Sequence, residues 1–150
     1  MGTSEATDPN HGLLVSDKIY KDFELRVKFL VEKGNSGLYF RVKEIGGPYG
    51  VEGFQAEIHP TESVGGLYET GGRGWVVEPD SADVKKWNKP GEWNSMTVLA
   101  KGKSVTVHVN GFKTAEINND PGRTDGHIAL QLHGGQDMLV SFKDVEIKIL

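Results

Sequence analysis

Three short stretches of this chain carry side chains suited to gripping a polyhydroxylated molecule. They are Tyr39 with Arg41, Gln55 with Glu57 and His59, and Gln131 with His133. In each stretch the polar residues occupy alternate positions, so an extended backbone turns them to one face. A plainly solvated sheet face favours Lys, Glu, Thr and Ser, and residues 24–28 fit that description. Here amides, imidazoles, a guanidinium and a single carboxylate stand instead. Planar groups of this kind fork onto adjacent hydroxyls. If the three stretches are neighbouring strands, they build one hydrogen-bonding surface. The other reading is an ordinary solvent-facing sheet side. Near a glycine-rich loop, Tyr68 and Trp75 flank Glu69-Thr70-Gly71-Gly72-Arg73-Gly74, and an exposed ring there can stack on a sugar.

The elements that must position these groups are short and extended. Residues 22–31 alternate, with Phe23, Leu25, Val27 and Phe29 on one face. Residues 37–43 set Leu38, Phe40 and Val42 against Tyr39 and Arg41. Residues 53–59 set Phe54, Ala56 and Ile58 against Gln55, Glu57 and His59. Residues 126–133 set Ile128, Leu130 and Leu132 against Ala129, Gln131 and His133. Further strands are expected over 93–100 and 103–109, with Trp93 in the core. Asn110-Gly111 marks a tight hairpin. The closing stretch reads as a strand with a bulge near Asp144. Residues 81–92 read as a polar connection. Strands and turns at this spacing, without helical periodicity, predict an all-β, antiparallel two-sheet β-sandwich. Residues 13–150 form its single domain, and residues 1–12 read as a polar tail.

Composition narrows the function. The 150 residues include 20 glycines and no cysteine, and the net charge is -4. Cysteine chemistry and thiolate metal sites are excluded. With a sequence pI near 5.7 and no basic block, nucleic acid is not an expected partner. No apolar run is long enough to span a membrane as a helix. The first residues lack the charged and apolar regions of a signal peptide.

Several motifs occur together in a fixed order. They are GNSGLYFR (34–41), GFQAEIHP (53–60), GGLYETGGRGW (65–75), GEWN (91–94), the VNG hairpin (109–111), GHIALQLHGG (126–135) and the terminal FKDVEIKIL. In this the chain resembles the 3-keto-disaccharide hydrolase domain family, from about residue 12 to its end. Two departures stand out. A polar tail replaces the upstream Trp-bearing strand, and His59 stands where the family carries an aspartate.

The resemblance implies a concanavalin A-like jelly roll, export from a bacterial cytoplasm, and cleavage of glycosides already oxidised at carbon 3. It implies no organic cofactor. The ketone acidifies the carbon 2 hydrogen, a base removes it, the aglycone leaves carbon 1, and water adds. Glu57 is the expected general base, with Arg41 holding the developing negative charge and His133 a second acid or base. Arg41 and Glu57 can alternatively form a structural ion pair, and His133 can be a strand-end histidine bonded to backbone. Gln55, Gln131 and Tyr39 are expected to bind substrate, and Tyr68, Arg73 and Trp75 to form the wall that selects the aglycone. Asn35 and Ser36 are expected to serve the turn. Glu57, His59 and His133 offer a two-histidine, one-carboxylate set for a divalent cation. The residues also argue against ordinary retaining hydrolysis, which needs two carboxylates about 5–5.5 Å apart, whereas this strand face carries one, although Glu69 or Glu78 from the loops could supply a second. The alternative function is a non-catalytic carbohydrate-binding domain. An exposed sheet edge would allow pairing with a second copy.

Overall fold

A computed structural model describes residues 1–5, 7 and 9–150. Twelve strands form two antiparallel sheets of six. One sheet runs β1 (Gly2–Ser4), β12 (Met138–Ile149), β3 (Phe23–Lys33), β8 (Asn94–Lys101), β9 (Ser104–Val109) and β10 (Phe112–Ile117). The other runs β2 (Gly12–Val15), β11 (His127–Leu132), β4 (Ser36–Glu44), β5 (Val51–Ile58), β6 (Leu67–Thr70) and β7 (Gly74–Val77). Helix α1 (Ser81–Trp87) follows β7.

The sandwich closes where alternation turns apolar faces together. Phe23, Leu25, Val27 and Phe29 of β3 are buried, as are Leu38 and Phe40 of β4 and Phe54, Ala56 and Ile58 of β5. Phe40 stacks on Phe54 at 5.6 Å and meets the Phe23 edge at 6.2 Å, so aromatic contacts bind the two sheets as well as neighbouring strands. The three strands with the unusual polar faces do lie side by side, in the order β11-β4-β5.

The strongest local turn signals act as expected. Asn110 and Gly111 both take positive φ and join β9 to β10, the geometry that matches strand twist. Around Asp144, also at positive φ, the pairing of β12 with β3 shifts register.

Three segments differ from the sequence reading. Within the stretch expected to be a tail, Gly2–Ser4 pairs with Met138–Val140, and Gly12 pairs with Leu132; Ala6 and Asp8 lie outside the described residues. These few pairings carry no alternation long enough to read. The connection after β7 contains α1, capped by Asp80, whose carboxylate accepts from the Ala82 and Asp83 amides. Its anchors are Val84 and Trp87, one turn apart and buried, with Trp87 Nε1 donating to the Val64 carbonyl at 2.9 Å. Two apolar positions in seven residues are too few to register as helical periodicity. Trp93 is exposed rather than in the core, with the Lys143 ammonium 4.0 Å above its ring.

Candidate functional site

Strand register assembles the site. Glu57 on β5 pairs with Gly37 on β4, which pairs with Gln131 on β11. In the next row Tyr68 on β6, Gln55, Tyr39 and Ala129 lie side by side, with Trp75 of β7 beyond Tyr68. Backbone bonds fix Glu57 further: its N–H donates to Gly66, and its carbonyl accepts from Gly65. The polar face floors a cavity of about 580 Å³.

Glycine at 37 makes the floor possible. A Cβ there would collide with the Gln55 amide, which lies across the backbone between Glu57 and Gln131. Gly37→Ala is therefore expected to push Gln55 aside. We expect a stability loss of about 1–3 kcal/mol, typical of overpacking, read by thermal unfolding, together with weaker ligand binding by calorimetry. Unchanged binding would show that the position of Gln55 does not matter.

A hydrogen-bonded chain crosses the floor. Asn35 Nδ2 donates to Glu57 Oε1, and Gln55 Nε2 donates to Glu57 Oε2 at 2.8 Å. Gln55 Nε2 also donates to Gln131 Oε1 at 3.2 Å. Gln131 Nε2 donates to the Tyr39 hydroxyl at 3.0 Å, which meets Thr70 Oγ1 at 3.2 Å. Glu57 is 4% exposed. Burial pushes its carboxyl up to about 8, and the Asn35 hydrogen bond only partly opposes this. Burial likewise holds the Tyr39 phenol well above its usual range.

The rims differ in character. On one side Trp75, 36% exposed, meets Tyr68 edge-on at 5.3 Å. Arg73 lines the same rim, but its guanidinium forks onto Asp120 with two 2.8 Å bonds and also binds both Glu69 oxygens. These bonds hold the Glu69 and Asp120 carboxyls below their usual range. On the other side His133 and His11 pack ring to ring at 4.5 Å, with Tyr49 5.5 Å from His11. His133 Nδ1 lies 2.6 Å from the Gly134 carbonyl, which only accepts, so that nitrogen carries the hydrogen. His11 Nδ1 accepts from the Gly134 N–H at 2.8 Å, and burial followed by the neighbouring His133 lowers its pKa to about 4.

Glu57, Gln55, Gln131, Tyr39, Tyr68, Arg73, Trp75 and His133 thus line one cavity. Arg41 does not. It takes a positive φ of 50° in a bulge of β4, which reverses the alternation and turns its side chain away from Tyr39. Its guanidinium is buried and donates to the carbonyls of Lys21 and Gly102 and to Asp22, at the end of the opposite sheet. Neither the charge-holding role nor an ion pair with Glu57 fits that position. The bulge is shaped from neighbouring strands: Gly53 of β5 packs directly against the Arg41 carbonyl, where a Cβ would come within 2.7 Å.

His59 also lies outside the cavity. It follows the end of β5, and its Nδ1 accepts from the Thr61 and Glu62 amides, capping the next turn. Glu57, His59 and His133 therefore do not converge. Among the described residues no three His, Asp or Glu side chains gather as a metal-binding group. The sequence reading missed His11 and Tyr49, which reach the rim from loops, and assigned Asn35 to the turn alone. No alternation marks such positions.

The fold agrees with comparisons to known proteins. A protein of Parabacteroides distasonis described as a candidate glycosyl hydrolase is 25% identical, with a TM-score of 0.66 over 91% of this chain and 75% of its own. The carbohydrate-binding module CBM66 of Bacillus subtilis superposes with a TM-score of 0.72 at 12% identity, over 98% of this chain and 91% of its own. The galectin LEC-6 of Caenorhabditis elegans gives 0.55 at 13% identity, over 95% and 91%. These likenesses identify the sandwich as a jelly roll of the lectin type. No curated protein matches the chain. The 3-keto-alpha-glucoside-1,2-lyase-like domain matches residues 2–148, nearly the whole length, and the chain belongs to that family.

Proposed function

We propose that this domain cleaves 3-keto-glucosides by elimination and hydration, with Glu57 as the base. The observation that carries the reading is a single buried carboxyl on a floor of neutral amides, beside a cavity large enough for a disaccharide. The ionised Glu57 takes the hydrogen from carbon 2. The electron pair of that bond forms the double bond to carbon 1, and the aglycone departs with its own bonding pair and takes a proton from a water molecule. The hydroxide left adds to carbon 1 and Glu57 returns its proton to carbon 2, giving the free 3-keto sugar. With Arg41 elsewhere, the wall donor for the enolate oxygen is the Tyr68 phenol, since the Nδ1 hydrogen of His133 is committed to the Gly134 carbonyl. Tyr39, Gln55 and Gln131 orient hydroxyls, and Trp75 with Tyr68 faces the aglycone. The cation set suggested by the sequence does not fit this geometry, and no step is drawn through a metal.

Ordinary glycoside hydrolysis fits less well. The other cavity-lining carboxylate is Glu69, which pairs in register with the core residue Phe54. Its side chain therefore leaves β6 on the face opposite Tyr68, where Arg73 occupies both its oxygens. The family's carbohydrate chemistry accords with a place outside the cytoplasm. Among the described residues no helix is long and apolar enough to cross a membrane.

The test is release of a chromogenic aglycone from a 3-keto glucoside beside its unoxidised parent. Release from the keto sugar alone supports the reading. If neither substrate is cleaved while the keto sugar still raises the melting temperature, the domain is a carbohydrate-binding module and the proposal fails.

A further inference from the structure

We propose that Asn35 is a positioning residue for Glu57, meeting the carboxylate with its Nδ2 hydrogens and the carboxylic acid with its Oδ1 through a half-turn of its amide. This rests on the reading of Glu57 as the base.

The argument starts from hydrogen counting. Both Glu57 oxygens receive hydrogens, one from Asn35 and one from Gln55. That arrangement suits the ionised group. In the neutral acid one oxygen carries a hydrogen and needs an acceptor. Gln55 cannot supply one by turning. Its Nε2 serves Glu57 Oε2, Gln131 Oε1 and, at 3.4 Å, the Ser36 carbonyl. That carbonyl only accepts, so a reversed Gln55 amide would set oxygen against oxygen there whichever way Gln131 turns.

Asn35 has no such constraint. Its Oδ1 is buried without a hydrogen-bond partner, alone in this among the described side-chain polar atoms. Its backbone stays anchored, because its N–H donates to Gln136 Oε1 at 2.8 Å. Only the amide need turn. Leaving a buried carbonyl oxygen unpaired is costly. The observed orientation is sustained by the stronger bond to a charged oxygen. When Glu57 gains a proton that advantage disappears, and the turned amide pairs Oδ1 with the new hydroxyl while Nδ2 moves to the unpartnered place.

The chemistry needs such a device. A base that removes the carbon 2 hydrogen must keep it as an acid until hydration, then return it. A fixed donor would favour the carboxylate alone and oppose the intermediate. Other titratable groups border the cavity: Tyr39 from β4, Tyr68 from β6, Tyr49 from the β4–β5 loop, His11 before β2 and His133 after β11. At the far rim Arg73 is matched by Glu69 and Asp120. The side-chain hydrogen bonds of Glu57 run to Asn35 and Gln55.

The experiment follows the Asn35 side-chain amide by 15N NMR while 13C NMR follows the Glu57 carboxyl, across about pH 5 to 10. Both signals should move with one midpoint, and the Asn35 change should vanish in Glu57→Gln. An Asn35 signal that stays still while Glu57 titrates overturns the proposal. So does a change that persists in Glu57→Gln, since the rim histidines would then be its source. In the elimination assay Asn35→Leu should lower kcat about tenfold or more and displace the pH midpoint, with KM nearly unchanged. A loss confined to KM would also overturn it. Because the titration needs no turnover, an inactive protein with co-titrating signals would refute the elimination reading and leave only the coupling of the Asn35 amide to the Glu57 proton.

Discussion

Glu57→Gln is expected to lower release from a 3-keto glucoside by roughly 10²–10⁴-fold, the usual contribution of a positioned base. The folded protein should at the same time become more stable at neutral and alkaline pH. The two effects share one cause. Burial favours the neutral carboxyl, so Glu57 titrates near 8 in the folded protein against 4.5 in an exposed glutamate. A group with a raised folded pKa holds its proton more tightly when folded. Its contribution to stability is complete below about 4.5 and is lost as pH rises through about 8. A glutamine escapes that loss. The advantage of the variant should grow across this window to the order of a few kcal/mol and then level off.

Activity should run the other way in the wild type. The base works only when ionised, so kcat/KM should rise with pH toward a midpoint near 8, while the melting temperature falls over the same range. Rate profiles and thermal unfolding at matched pH values check both. Turnover in heavy water should place deuterium at carbon 2 only where Glu57 exchanges the abstracted hydrogen with solvent before returning it.

The second large effect is structural. Arg41→Ala is expected to destabilise the protein by about 3 kcal/mol, lowering Tm by roughly 10 °C. Arg41 is 1% exposed, and its guanidinium satisfies the Lys21 and Gly102 carbonyls that join the two sheets at one end. Truncation leaves those carbonyls unpaired beside a cavity. Asp22 is half-exposed and is rehydrated, so no buried charge is stranded. Catalysis per folded molecule at low temperature should change by less than about tenfold. Loss of activity with stability intact would return Arg41 to the site, against the geometry. Arg41→Lys should be intermediate, since an ammonium cannot reproduce the planar fork.

Much of the architecture is written in local pattern. Strict alternation in residues 23–29 and 54–58 dictates which faces meet in the core, because a strand has a period of two. The same rule put Gln55, Glu57 and Gln131 on the reverse face, and sheet order then made them neighbours. Asn110-Gly111 dictated its own hairpin through backbone sterics that act within two residues.

Alternation failed where a distant strand intervened. Arg41 has the same local spacing as Tyr39, yet the bulge against Gly53 on the next strand reverses its direction. His59 shares the period of Glu57 but lies past the strand end, where turn amides claim its ring. Asn35 reads as a turn residue, and it acquires its carboxylate partner only because β4 and β5 bring residues 22 positions apart together. Pattern within one strand is short-range and legible in the chain. Which groups share a cavity depends on register, bulges and loops from separate strands, and these exist only once the sheets have formed.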